Sequence, residues 1–252
     1  MARHLAALAA GILLASATGA ADPPRQVTIR WFGHSFFQIE TSQGTRIAMD
    51  PHAIDAYGRK AVAADVVTIS HFHNDHTQLE SIQNKEKARV LVGLKGDERT
   101  KRVDWNPIDL QFRDVRIRTV GVYHDTVQGM ERGKNAVFIF EVDGLHIVHL
   151  GDLGHVLSPA EVKKIGPVDV LMIPVGGVYT LNGSEAKKVV EQLKPRQYIL
   201  PMHYGTRVYD DVLPADEFLE EQKNVKKYPG NKLTTEADFK PPEPIIALLG
   251  WM

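Results

Sequence analysis

Within six residues the chain places three imidazoles and a carboxylate: His71-Phe72-His73-Asn74-Asp75-His76. Packed in a protein interior without a partner, such groups are costly to desolvate. A metal ion resolves this. His71 and His73 alternate along extended backbone, so both can face one ion. Asp75 and His76 fall where the chain turns and can face a second. Four donors this close, directly after a buried strand, point to a metal site rather than a solvated polar loop. The sequence has no cysteine, which excludes thiolate ligands, cysteine nucleophiles and disulfides. Any transition metal must therefore be held by nitrogen and oxygen.

Such a cluster needs elements to hold it. Asp65–Ser70 is β-branched and apolar, and predicts a buried strand running into His71. Val27–Phe32, Phe36–Glu40 and Arg46–Met49 read as earlier strands, the first two joined by Gly33-His34-Ser35. Val90–Gly93, Val115–Val122, Ala136–Val142 and His146–Leu150 read as later ones, with Asp143-Gly144 as a hairpin turn. Helices are expected at Thr77–Lys87, at Ser158–Ile165 behind Ser158-Pro159, at Ser184–Leu193 capped by Ser184, and at Pro214–Lys226. Strands at Val168–Ile173, Tyr198–Met202 and Ile245–Leu249 alternate with the later helices. Strands first, then alternating strands and helices, can build two mixed sheets packed together and covered outside by helices.

The six-residue cluster is the H-x-H-x-D-H signature, and the chain resembles the metallo-β-lactamase superfamily in order over nearly all of its length past the first twenty residues. The resembling pieces are His124 in Val122-Tyr123-His124-Asp125, Asp152 in Leu150-Gly151-Asp152, and His203 in Pro201-Met202-His203-Tyr204. Gly33-His34-Ser35, Met49-Asp50-Pro51 and Ile173-Pro174-Val175-Gly176-Gly177 are similar to the L-ascorbate-6-phosphate lactonase-like branch. The resemblance implies an α/β, four-layer αββα sandwich of two mixed sheets flanked by helices. It implies that His71, His73 and His124 bind one metal, that Asp75, His76 and His203 bind another, and that Asp152 bridges the two. Two ions about 3.5–4 Å apart can share one hydroxide as nucleophile. Asp75 has a second expected task, passing a proton to the leaving group. Zinc suits this ligand set, and manganese or iron also fit. Redox diiron members of the superfamily carry glutamate at the position of His73, and many true β-lactamases of the fold use a cysteine or lack the bridging aspartate. This chain does neither.

Other residues have two readings each. His34 is expected to face the site, and Asp50 to orient a metal-binding histidine. Asp125, Tyr179 and His155 could reach the pocket or be structural. His149, three residues before Asp152, need not point with it. Gly176-Gly177 would let backbone approach the site. His4 and His52 read as signal or surface residues.

The remaining chain bounds the function. Of 252 residues, 43% are hydrophobic and 24% charged, with a net charge of −1; this is ordinary for a soluble globular protein. No long run of one charge calls for nucleic acid. Arg3 and His4, the apolar run Leu5–Ala17, and small residues before Asp22-Pro23-Pro24 form the three-part pattern of a cleavable export signal. Residues 1–21 are thus expected to be a signal peptide and 22–252 a single hydrolase domain, exported and, in a Gram-negative cell, periplasmic. No membrane anchor is expected. The expected activity is metal-dependent hydrolysis of an ester-type bond, a lactone or a phosphodiester, in a small molecule. The alternative is a metal-carrying binding or assembly factor without turnover.

Overall fold

The structure is a computed structural model that describes residues 25–58, 61–100 and 102–252; the expected signal segment and His4 lie outside them. Sixteen strands follow in chain order: β1 (Gln26–Trp31), β2 (Phe37–Glu40), β3 (Arg46–Met49), β4 (Val66–Ile69), β5 (Arg89–Val92), β6 (Leu94–Asp97), β7 (Arg102–Trp105), β8 (Asp109–Phe112), β9 (Val115–Tyr123), β10 (Lys134–Val142), β11 (Leu145–His149), β12 (Val170–Pro174), β13 (Tyr198–Met202), β14 (Val225–Lys227), β15 (Lys232–Glu236) and β16 (Ile245–Leu248). Among the described residues three α-helices follow: α1 (Pro159–Ile165), α2 (Gly183–Leu193) and α3 (Asp216–Leu219).

Fourteen of these strands form two large mixed sheets, and β6 and β7 pair separately. One has six strands in the order β15-β1-β2-β3-β4-β5, the other eight in the order β14-β16-β13-β12-β11-β10-β9-β8. Ile29, Trp31, Phe37 and Met49 from the first meet Ile117, Phe138, Phe140, Met172 and Leu200 from the second in one apolar core. Burying side chains of this size contributes about 1.5–3 kcal/mol each. The outer face of the eight-stranded sheet packs on the helices through Val148, Leu171 and Ile199 against Ile165, Ala186, Val189 and Phe218.

Two hairpin and cap signals in the sequence appear as expected. Asp143 and Gly144 both take left-handed φ, 49° and 79°, in the β10–β11 turn, the geometry that matches strand twist. Ser158 caps α1 in a reciprocal box with Glu161, and Pro159 opens the helix. Other expectations need correcting. Thr77–Lys87 is not an α-helix: it holds a single turn at Leu79–Ser81, then Ile82 bridges Val62 in parallel and the Asn84 amide clamps both backbone groups of Ala64. Tertiary pairing outbids a weak helical pattern here. Among the described residues, the outer face of the six-stranded sheet is therefore covered by short turns over Phe32, Phe36 and Val67, not by an α-helix. Asn182, not Ser184, caps α2; the Ser184 hydroxyl instead donates to Glu217 at 2.6 Å. The helix expected at Pro214–Lys226 is one turn, because Val225 leaves it to pair with Ile246.

Candidate metal centre

β9 and β11 both run antiparallel to β10, and β11, β12 and β13 run parallel. The carboxyl ends of β9, β11 and β13 therefore share one edge of the eight-stranded sheet. His124, Asp152 and His203 follow those three ends. Across the seam, β4 delivers His71, and the turn Asn74–His76 brings Asp75 and His76 round to the same place.

The seven residues converge. Asp152 Oδ2 lies 3.1 Å from His203 Nε2, 3.2 Å from both His76 Nε2 and His124 Nε2, and 3.7 Å from His71 Nε2. All four imidazoles and the carboxylate are buried. His73 is partly buried, its ring 4.6 Å from His71 and 4.9 Å from His124. One donor atom each from His71, His73, His124 and Asp152 lie within 4.8 Å of one another, and so do those of Asp75, His76, His203 and His34. The first group has the residues that the resemblance implied; the second adds His34 and does not include Asp152, and a third joins Asp50, His71 and His76.

A fixed pattern of protons frees the donor atoms. Asp50, buried and at φ 46°, accepts from the Ser70 amide at 2.8 Å and the Ser70 hydroxyl at 2.6 Å, and its Oδ2 faces His76 Nδ1 at 3.0 Å. The Ser70 hydroxyl also faces His71 Nδ1 at 2.9 Å. A carboxylate only accepts, and the hydroxyl proton is already given to it. In the neutral rings both Nδ1 atoms therefore carry the proton, and both Nε2 atoms would offer a lone pair to a cation. His71 Nε2 and His76 Nε2 are buried without a hydrogen-bond partner. Two buried nitrogens aimed at one carboxylate fit divalent cations.

Without an ion, the same groups pair with one another. Burial pushes the Asp152 carboxyl up, but the surrounding histidines, His203 and His76 foremost, outweigh it and hold it well below the usual range. Burial lowers His71, and the neighbouring His76 adds to this. Burial opposes charge on His76 too, yet Asp152 and Asp50 raise it well above its ordinary value. Burial also pushes the Asp75 carboxyl up, while the His34 hydrogen bond and His76 hold it low. An ionised Asp75 suits a metal ligand directly; to pass on a proton it must first take one.

Residues 28–203 match the family profile described as the β-lactamase superfamily domain, a span that ends on His203. The chain belongs to the metallo-β-lactamase superfamily of metal-dependent hydrolases. It is 32% identical to a UPF0173 metal-dependent hydrolase of Thermococcus onnurineus, over 71% of this chain and 85% of that one. A crystal structure from Thermotoga maritima, assigned to the Zn-dependent hydrolases of the superfamily, is 37% identical with a TM-score of 0.66, over 88% and 98% of the two chains. A metallo hydrolase of Ignicoccus hospitalis shares the fold at 21% identity and a TM-score of 0.56, over 84% and 99%.

The hydrolase uses its other candidates in varied ways. His34 reaches Asp75 Oδ2 with its Nε2 at 3.0 Å. Asp125 is structural: its carboxyl collects four backbone N–H groups, from Val127, Gly129, Glu131 and Arg132, and so folds the loop after His124. His155 is also structural, its Nε2 accepting from the Tyr123 amide at 3.1 Å. His149 ties two turns together, facing the Ser35 carbonyl at 3.0 Å and accepting from Gly151 N–H at 3.1 Å. His52 is no surface residue. It is buried, donates to the Gly33 carbonyl and accepts from Ile54 N–H, and burial lowers its pKa to about 4. Gly176 packs on the His203 carbonyl so closely that a Cβ would collide with it. The Trp105 indole donates to the Val122 and Asn135 carbonyls. Tyr179 is exposed, with the Arg132 guanidinium 4.8 Å over its ring. Two residues escaped sequence reasoning. Ser70 sits just before the motif, and that adjacency was the available signal; Tyr209, with its ring 5.6 Å from His34, carried none.

Proposed function

We propose that this chain is an exported, dinuclear hydrolase that cleaves an ester-type bond in a small substrate. One observation carries the reading: four buried imidazole Nε2 atoms converge on Asp152 Oδ2. His71, His73 and His124 would hold one ion, Asp75, His76 and His203 the other, and Asp152 both. When bound, the ions supply positive charge for the oxyanion that develops as the bond breaks, and they acidify water toward neutral pKa. Zinc suits the nitrogen-rich set, and manganese or iron also suit it. The chain's own part is to fix the donors. Asp50 and Ser70 hold the Nδ1 protons, and the strand ends set the spacing.

The surroundings favour a lactone over a phosphodiester. Val178, Tyr179 and Leu213 are exposed apolar residues on the loops that follow β12 and β13. The nearby Arg132 is engaged, stacked on Tyr179 and donating to the Val178 carbonyl. An apolar rim suits an uncharged ester. The likeness of Gly33-His34-Ser35 and its companions to the lactonase-like branch points the same way. The test is turnover of a simple aliphatic lactone and of bis-p-nitrophenyl phosphate by metal-loaded protein. Lactone opening should exceed phosphodiester cleavage, and chelation should abolish both. Chelator-resistant turnover would reject metal dependence. Tight metal binding with no turnover of either would favour the metal-carrying binding factor.

Export rests on the order basic, apolar, small in the first twenty residues. No helix among the described residues is long and apolar enough to cross a membrane. N-terminal sequencing of the exported protein should give a start created by cleavage between Ala17 and Asp22. A start at Met1 or Ala2 would overturn this.

A further inference from the structure

Asp75 is the one proposed ligand on the second side with a large exposed fraction, 38% of its side chain. A half-exposed carboxylate on a short turn has rotamers to choose from. Its two oxygens are nonetheless divided. Oδ1 lies 3.8 Å from His76 Nε2, inside the donor cluster, and Oδ2 lies 3.0 Å from His34 Nε2.

His34 itself is fully buried and held on every side. It adopts φ 49°, a left-handed backbone uncommon outside glycine. Its carbonyl accepts from the Trp31 indole at 2.9 Å and from the His203 amide at 3.2 Å. The turn beneath it is closed by Phe36 N–H donating to the Gly33 carbonyl at 3.0 Å, and the Tyr57 ring fills the space where Gly33 would carry a Cβ. The imidazole ring lies 4.1 Å from that of His203. A strained residue so fully determined by its surroundings is a candidate for function. Because a carboxylate only accepts, the proton of the His34 ring sits on Nε2, and Nδ1 is left bare and buried without a partner.

We propose that His34 is a positioning residue whose Nε2–H fixes Asp75 Oδ2, so that Asp75 Oδ1 alone is offered to the second metal position. This rests on the two-ion reading. It also explains why a backbone turn from the six-stranded sheet is bonded to the His203 amide of the other. The same turn sets two of the three residues on that side, Asp75 through the ring and His203 through the carbonyl.

Two substitutions separate positioning from ligation. His34→Gln keeps an amide N–H near the place of Nε2 but is a far poorer metal ligand than imidazole. His34→Asn tolerates the left-handed backbone yet is too short to reach Asp75. The probe is Co2+, titrated into metal-free protein and followed by binding stoichiometry and visible absorption. Wild type should take two equivalents. His34→Asn should weaken the second by about 10–100-fold, as loss of an orienting partner does elsewhere, and leave the first within about threefold. His34→Gln should restore the second equivalent and the wild-type absorption. Equal loss in both variants, with an absorption change that marks a lost nitrogen donor, would make His34 a ligand and overturn the inference. So would wild-type binding by His34→Asn. A wild-type titration that stopped at one equivalent would instead overturn the two-ion reading, and the inference with it.

Discussion

Changing Asp152 to Asn should lower kcat/KM by at least about 10³-fold, the upper end of what removal of one preorganised electrostatic group costs. The side chain keeps its size, so packing is preserved. What disappears is a negative charge that four imidazole nitrogens face at 3.1–3.7 Å. In the proposed two-ion centre the dications would repel each other, and the shared carboxylate would offset that repulsion. An amide offers one neutral oxygen and an NH2 group that points protons at the donor cluster. Both ions should bind more weakly, and raising the metal concentration should recover only part of the rate. Asp75→Asn makes the control. It touches one side of the centre, and any proton it relays matters most for poor leaving groups. The measurement is kcat/KM at saturating metal across esters of graded leaving-group pKa. Asp152→Asn should depress the whole series, and Asp75→Asn its upper end. Near-normal rates for Asp152→Asn would remove the bridge, and equal slopes for Asp75→Asn and wild type would remove the proton relay.

The second large effect is expected from a residue that would touch neither ion. Asp50→Asn should weaken the second metal equivalent by about 100-fold, near the upper end for partners of metal-binding histidines. The reason is protonic rather than steric. Asp50 Oδ2 is the acceptor for the Ser70 hydroxyl and faces His76 Nδ1. An Asn side chain can keep one oxygen toward the Ser70 amide, but then turns its NH2 toward both former donors. The His76 ring answers by moving its proton to Nε2, where it blocks the lone pair a cation needs. The metal-free fold should lose only about 1–3 kcal/mol, the cost of a few mispaired polar groups. Metal titration and urea unfolding of the metal-free variant separate the two effects. Unchanged second-site affinity would show that Asp50 does not set the His76 proton.

Much of this site was legible because its donors follow strands whose sequences announce themselves. DVVTIS runs directly into His71, and Leu150-Gly151-Asp152 follows a β-rich run. What could not be read was anything that depends on which side chain meets which across the seam. His34 and Asp75 are 41 residues apart, and no periodicity links them. Ser70 looked like the last residue of a strand, yet its hydroxyl sets the proton on His71. His52 looked exposed beside Pro51, and its burial follows from the Gly33 turn folding over it. The helices failed for a related reason. Thr77–Lys87 and Pro214–Lys226 carry acceptable local propensity, but Ile82 and Val225 find strand partners elsewhere in the chain, and local preference is a weak prior against such pairing.

The donor set crosses the seam between the two sheets, and this ties maturation to metal. Each proposed group takes members from both halves: His71 and His73 with His124, Asp75 and His76 with His203. Neither group is complete until the sheets dock, so on the two-ion reading loading would follow docking. Once in place, an ion there would act as a rivet through the sandwich. At a thousandfold excess over its dissociation constant, one ligand that binds only the folded state adds about 4 kcal/mol against unfolding. Sliding or parting of the sheets must first strip the ion from ligands on both sides. The centre that performs the chemistry would thus also govern how long the folded protein survives.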